Sequence, residues 1–194
     1  MNRDEDLLRR GLRLEYATLG WNVIGVVVMA VAAISARSVA LAGFGLDSLI
    51  EIGASTVVVW QLRGVRNAQR ELRAMRLIGA GFLALSGYIA IQSAYVLVAG
   101  FRATVSPLGI GWTAVTFVAM LALAAGKAST GKALGNRVLE TEAKVTVVDA
   151  YLAGSVLVGL VLNATLSWWW ADPLSALVIV VYGMKEARAA FRAK

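Results

Sequence analysis

Asp47 and Glu51 stand four residues apart in a stretch that is otherwise apolar from Val39 to Leu62, and Asp149 stands alone in a second such stretch. Residues four apart share one face of a helix, and Ser55 continues that face by one more turn. Two carboxylates this close repel each other when both are ionised. They need a cation between them or a proton on one of them. A charge at the centre of a membrane helix costs at least about 2.5–3.5 kcal/mol on insertion scales, so three such acids call for a reason. One reason is glue, each acid protonated and hydrogen-bonded to a neighbouring helix, although Ser, Thr or Asn would do that more cheaply. The other is a site. An all-oxygen anionic cluster suits a divalent cation. The chain has neither His nor Cys, which moves the expected choice toward harder ions such as Mn²⁺, Mg²⁺ or Fe²⁺, with zinc open because carboxylates also ligate it. Asn22 and Gln92 are further polar candidates in apolar surroundings, either as ligands or as interhelical hydrogen-bonding residues.

The elements that must position these groups follow from composition. Of 194 residues 59% are hydrophobic and 16% charged, against about 45–50% and about 25% in an ordinary soluble domain. One core cannot absorb that excess, so lipid must solvate it. A helix needs about 20 mostly apolar residues to cross the hydrocarbon layer. Six stretches qualify: 17–36, 39–62, 77–100, 108–125, 145–166 and 173–190. The expected fold is therefore an all-α polytopic membrane protein, with an N-terminal segment 1–16, a six-helix domain 17–190 and a short tail 191–194. Only Ser35-Ala36-Arg37-Ser38 separates the first two spans, which requires a tight hairpin.

The basic residues orient this arrangement. Of the 19, all but Arg37 and Arg102 fall before span one, between spans two and three, between spans four and five, or after span six. By the positive-inside rule those segments are cytoplasmic, and so are both termini. The same rule accounts for the net charge of +7 without a nucleic acid. Trp112 and Trp168, Trp169 and Trp170 are expected as outer interfacial anchors, and Tyr16, Trp21 and Trp60 as inner ones. Residues 7–14 fit a basic amphipathic helix lying on the inner surface. The opening Met-Asn-Arg-Asp-Glu-Asp precedes no cleavage site, so the first span is expected to persist in the mature chain.

Other readings are excluded or demoted. Without His or Cys, and with no cofactor motif, enzyme chemistry and an organic cofactor are not expected. Residues 126–133, Gly-Lys-Ala-Ser-Thr-Gly-Lys-Ala, have the spacing of a phosphate-binding loop. They lack the hydroxyl after the second lysine that would hold Mg²⁺, and no strand precedes them, so a cytoplasmic loop is expected. Glu15, Glu142 and Glu186 are expected in or beside water, and Asp172, before Pro173, at the outer start of span six.

Ser38-Val39-Ala40-Leu41 followed by 47–55, Asp-Ser-Leu-Ile-Glu-Ile-Gly-Ala-Ser, resembles the second transmembrane helix of the cation diffusion facilitators. Glu142-Ala143 through Asp149, and then 172–177, Asp-Pro-Leu-Ser-Ala-Leu, resemble their fifth and sixth. The resemblance runs through all six spans in order and is closest to a short branch that ends after the sixth helix. It implies a homodimeric exporter in the cell membrane that moves a divalent metal, usually zinc, in exchange for protons. It also implies a metal site of two residues from helix two and two from helix five. Asp47, Glu51 and Asp149 match three of them. The fourth, four residues before Asp149, is typically His and here is Val145, leaving water or an Asn22 oxygen to complete the shell. Family members usually carry a cytoplasmic metal-binding domain after span six, where this chain has about four residues.

The expected mechanism is metal–proton antiport by alternating access, the carboxylates binding cation on one side and protons on the other. A membrane-embedded metal-binding or scaffold subunit without transport is the alternative. Asp149 lies close to the inner end of the fifth span, whereas Glu51, in the second, is nearer mid-membrane. Either helix five extends inward past Glu142, or the three acids do not form one site.

Overall fold

A computed structural model of the chain describes residues 3–63 and 68–192. The expectations placed on Arg66 and Lys194, and on the side chains of Arg3, Trp60, Arg63, Arg70, Arg73 and Arg137, fall outside what it describes. Among the described residues the fold is all-helical. It comprises α1 (Arg3–Ala36), α2 (Val39–Arg63), α3 (Ala68–Ala99), α4 (Pro107–Leu134), α5 (Arg137–Leu166) and α6 (Ala171–Arg192).

Local chemistry sets the breaks. Arg37 takes a left-handed backbone (φ 52°) and ends α1. The Ser38 hydroxyl then accepts from the Leu41 amide at 3.1 Å, starting α2 two residues later. Gly100 (φ 68°) follows α3 and Gly135 (φ 58°) closes α4, both conformations that cost glycine little. Ser106 caps α4 through the Gly109 amide, with Pro107 in the first turn. Asn136 accepts from the Leu139 amide to open α5.

The polarity is inverted relative to a water-soluble protein. Val98 is 90% exposed and Ile34 80%, while Asp47, Glu51, Asp149, Lys127 and a set of serines and threonines are buried. Among the described residues, four helices carry segments long and apolar enough to cross a membrane: Glu5–Ala36, Gly79–Ala99, Pro107–Leu134 and Glu142–Leu166. They mark the chain as a membrane protein. The remaining two, α2 and α6, are the ones that carry Asp47 and Glu51, and Asp172, Lys185 and Glu186.

α2 is the hub of the bundle, packing on α1, α3, α5 and α6; the closest pairings otherwise are α4 with α5 and α3 with α6, and α1 also packs on α4. Small residues permit the tight crossings. A Cβ at Gly159 of α5 would run into Ser175 of α6, and one at Gly183 of α6 into Ser86 of α3. Met29, Leu41, Phe44, Ile89, Leu152, Val156 and Ile179 fill the apolar centre.

Each expected span lies within one helix, apart from Gly100 at the end of the third, but several helices run well beyond theirs. α1 is continuous from Arg3, about 50 Å long at 1.5 Å per residue, so residues 7–14 extend the first span instead of forming a separate surface helix. α4 continues through 126–133, which are helix and not a loop. α5 starts at Arg137, inward of Glu142. In each case the extension carries basic residues, and it lies at the end expected to be cytoplasmic. Trp21 and Trp112 were expected at opposite interfaces. Their rings instead stack 5.0 Å apart at 19°, with the Trp21 indole donating to the Thr116 hydroxyl at 3.1 Å, so this pair ties α1 to α4. Trp168 and Trp170 stack on each other just after α5.

Candidate functional site

Asp47, Glu51 and Ser55 occupy successive turns on one face of α2, and all three are buried. Because α5 extends inward past Glu142, Asp149 is brought against that face. Asp47, Glu51 and Asp149 lie within electrostatic range of one another. Of the two alternatives that the sequence leaves open, helix five does extend past Glu142. Asn22 of α1 is buried as well.

What distinguishes this neighbourhood is unmet hydrogen-bonding capacity. Asp47 Oδ1, Glu51 Oε2, both Asp149 carboxylate oxygens, Ser55 Oγ and Asn22 Nδ2 are buried without a hydrogen-bond partner. Buried polar atoms are nearly always satisfied, and each one left alone costs about 1–3 kcal/mol. Five residues with orphaned atoms on three helices therefore hold a large unspent demand for a cation or protons. The side chains do not yet form a ligand shell: among the described residues no three carboxylates converge closely enough to hold a metal ion.

Sequence reasoning missed Tyr182 of α6. Its ring packs edge-on against Phe82, centroids 5.8 Å apart, and its buried hydroxyl has no partner. All three acids lie within electrostatic range of that hydroxyl. A lone tyrosine mid-way along an apolar span carries no sequence signal of what its hydroxyl faces, so only packing exposes its position. Val145, the position that resemblance pairs with histidine, is one turn inward of Asp149 and half-buried. Gln92 is remote from this group and lines a cavity near Arg37 and Arg102.

A second buried polar cluster lies beside the first, toward the N-terminal end of α5. Lys127 of α4 is fully buried, and its ammonium donates to Glu15 Oε2 of α1 at 3.2 Å and to Glu142 Oε1 and Thr146 Oγ1 of α5 at 3.4 and 3.1 Å. Glu15 and Glu142, expected beside water, are buried as its counter-ions. Continuation of α4 through 126–133 and of α1 back to Arg3 makes this possible. Glu142, Thr146 and Asp149 lie on one face of α5, and Glu142 is in electrostatic range of both Glu51 and Asp149, so the clusters are neighbours.

Asp172 is buried in the first turn of α6, but its carboxylate serves α2. It accepts from the Val39 and Ala40 amides at 3.0 and 3.4 Å and from the Ser38 hydroxyl. An anion on a helix N-terminus is favourable, and this one fixes the start of the helix that carries Asp47 and Glu51. No protein-family model matches the chain.

Proposed function

We propose that the chain is a divalent-cation exporter working as a metal–proton antiporter, with Asp47, Glu51 and Asp149 as the exchange site. The observation that carries this reading is the unmet demand of those three buried carboxylates, drawn from α2 and α5 and within electrostatic range of one another. Three acids so placed cannot all stay ionised in a dry interior without a cation or protons among them. One group of oxygens therefore serves both ligands: cation binding expels protons, and protons arriving from the other side expel the cation. Zinc is the cargo that the resemblance to cation diffusion facilitators favours, whereas the all-oxygen donor set favours Mn²⁺ or Fe²⁺.

In this reading all six helices span the cell membrane, with both termini cytoplasmic, since all but two of the basic residues then lie inside. α2 and α6 cross despite their charges because those charges face the bundle or its inner end. The chain works as a homodimer, assembled through helices and short connections.

The test is metal-driven proton flux in proteoliposomes, for wild type and Asp47→Ala, across Zn²⁺, Mn²⁺, Fe²⁺ and Mg²⁺. Flux in the wild type that vanishes in the variant supports antiport through this cluster, and the ion ranking identifies the cargo. Folded protein that binds a metal but moves none favours a binding or scaffold subunit instead.

A further inference from the structure

Arg37 and Arg102 are the two basic residues that the charge distribution leaves at the opposite end from the other 17. The fold brings them together. Arg37 sits in the α1–α2 turn and Arg102 in the connection from α3 to α4, and the two connections are joined by a hydrogen bond from the Thr104 amide to the Ala36 carbonyl at 2.9 Å. Both side chains line one cavity of about 320 Å³, together with Gln92, Tyr88, Tyr95 and Ile34. Cavities of about 300–1,000 Å³ are the usual size for small-ligand sites.

Neither arginine forms an ion pair among the described residues, where Lys127 supplies both salt bridges. The neighbouring acid, Asp172, is spent on Ser38 and the α2 amides. Arg37 also holds a positive φ at a helix end where glycine would cost less, which is a backbone penalty kept at a position with an unpaired charge. The cavity walls are apolar and open outward: Ile34, Tyr88 and Tyr95 are all exposed.

We propose that this cavity binds an anionic phospholipid, its phosphate on Arg37 and Arg102 and an acyl chain along Ile34 and the two tyrosines. Two guanidiniums match phosphate by charge and by fork geometry. The tyrosines suit the headgroup level, where an apolar ring carries a polar tip. An aqueous phosphate ion would use the arginines but have no use for the apolar wall. The site is independent of the transport reading, since it rests on neither Asp47, Glu51 nor Asp149.

The experiment is native mass spectrometry of the full chain in detergent, titrated with phosphatidylglycerol, phosphatidylcholine or inorganic phosphate. Arg37→Gly/Arg102→Ala removes both charges, and glycine suits the left-handed backbone at position 37. Arg9→Ala/Arg10→Ala is the charge-matched control at the other end, and Arg37→Lys/Arg102→Lys keeps the charge without the fork. The wild type should retain phosphatidylglycerol over phosphatidylcholine, and the Gly/Ala variant should lose that preference by about tenfold or more. The Arg9/Arg10 control should keep it, and the lysine variant should fall between. Equal retention by wild type and the Gly/Ala variant overturns the proposal, as does an equal loss in the control. Binding of inorganic phosphate as tight as that of the lipid shows an anion site without a lipid site and overturns it too. Should the Gly/Ala variant fail to fold, the lysine variant and control decide: lysine indistinguishable from control sinks the arginine-specific site.

Discussion

Two buried polar clusters lie side by side in this bundle and treat their charges in opposite ways. Around Lys127 the ammonium is matched by two carboxylates and a hydroxyl on α1 and α5, and of these groups Glu15 Oε1 alone is left without a partner. Around Asp149 the neighbours are acids, and the carboxylate oxygens of Asp149 have no donor. Both clusters are dry and both join three helices. The first carries its own cation, built into the chain; the second has the oxygens for one but no side chain to supply it. A protein seeking only cohesion would repeat the first solution. That the second cluster stays short of donors is what sets it apart from a purely structural charge, and it is the basis of the proposed exchange.

The largest effect should come from breaking the matched cluster. Lys127→Met leaves Glu15 and Glu142 buried without their cation and should cost about 3–5 kcal/mol of stability. Thermal unfolding in detergent measures it, and an unchanged midpoint would show that the cluster does not hold the bundle. Adding Glu15→Gln and Glu142→Gln should recover most of the loss, because the uncompensated charges are then gone. The unmatched cluster should respond the other way round. Asp47→Ala should lower metal-driven flux by more than about tenfold, as loss of a direct ligand exceeds the cost of losing an outer-shell partner. Its unfolding midpoint should hold or rise, since one repelling acid is removed. A variant that unfolds as readily as Lys127→Met would erase the distinction.

The difference between the clusters also divides what the sequence made legible. Six apolar runs and the placement of Asp47, Glu51 and Asp149 within them follow from the expense of a charge in lipid, a signal that needs no tertiary information. The matched cluster was hidden. Glu15, Lys127 and Glu142 lie outside the apolar runs, where a solvated charge and a buried, paired one look alike. Their pairing joins residues 112 and 15 positions apart. The same ambiguity made 126–133 read as a loop: a helix that continues past the hydrocarbon layer has no hydropathy signature of its own. Trp21 was misplaced for a related reason. An indole can serve an interface or a helix contact, and only the stacking on Trp112 tells which.

Two smaller substitutions refine the unmatched cluster. Val145→His places a nitrogen one turn before Asp149, at a half-buried position. The flux ranking should move toward Zn²⁺ and away from Mn²⁺, because imidazole suits zinc better than an all-oxygen set does. An unchanged ranking would mean that position 145 does not face the cargo.

Asn22→Ala should have the smallest effect, a fewfold rise in the metal concentration at half-maximal flux with little change in maximal rate. Asn22 comes from α1, the helix that Glu15 and Lys127 lock to α4 and α5, so its amide sits on a wall that the matched cluster holds in place. Its buried Nδ2 lacks an acceptor. If Asn22 serves the cation, the loss in Asn22→Ala should be absent from the Asp47→Ala background, where the site is already broken. An equal loss in stability from Asn22→Ala and Lys127→Met would instead place Asn22 with the structural charges.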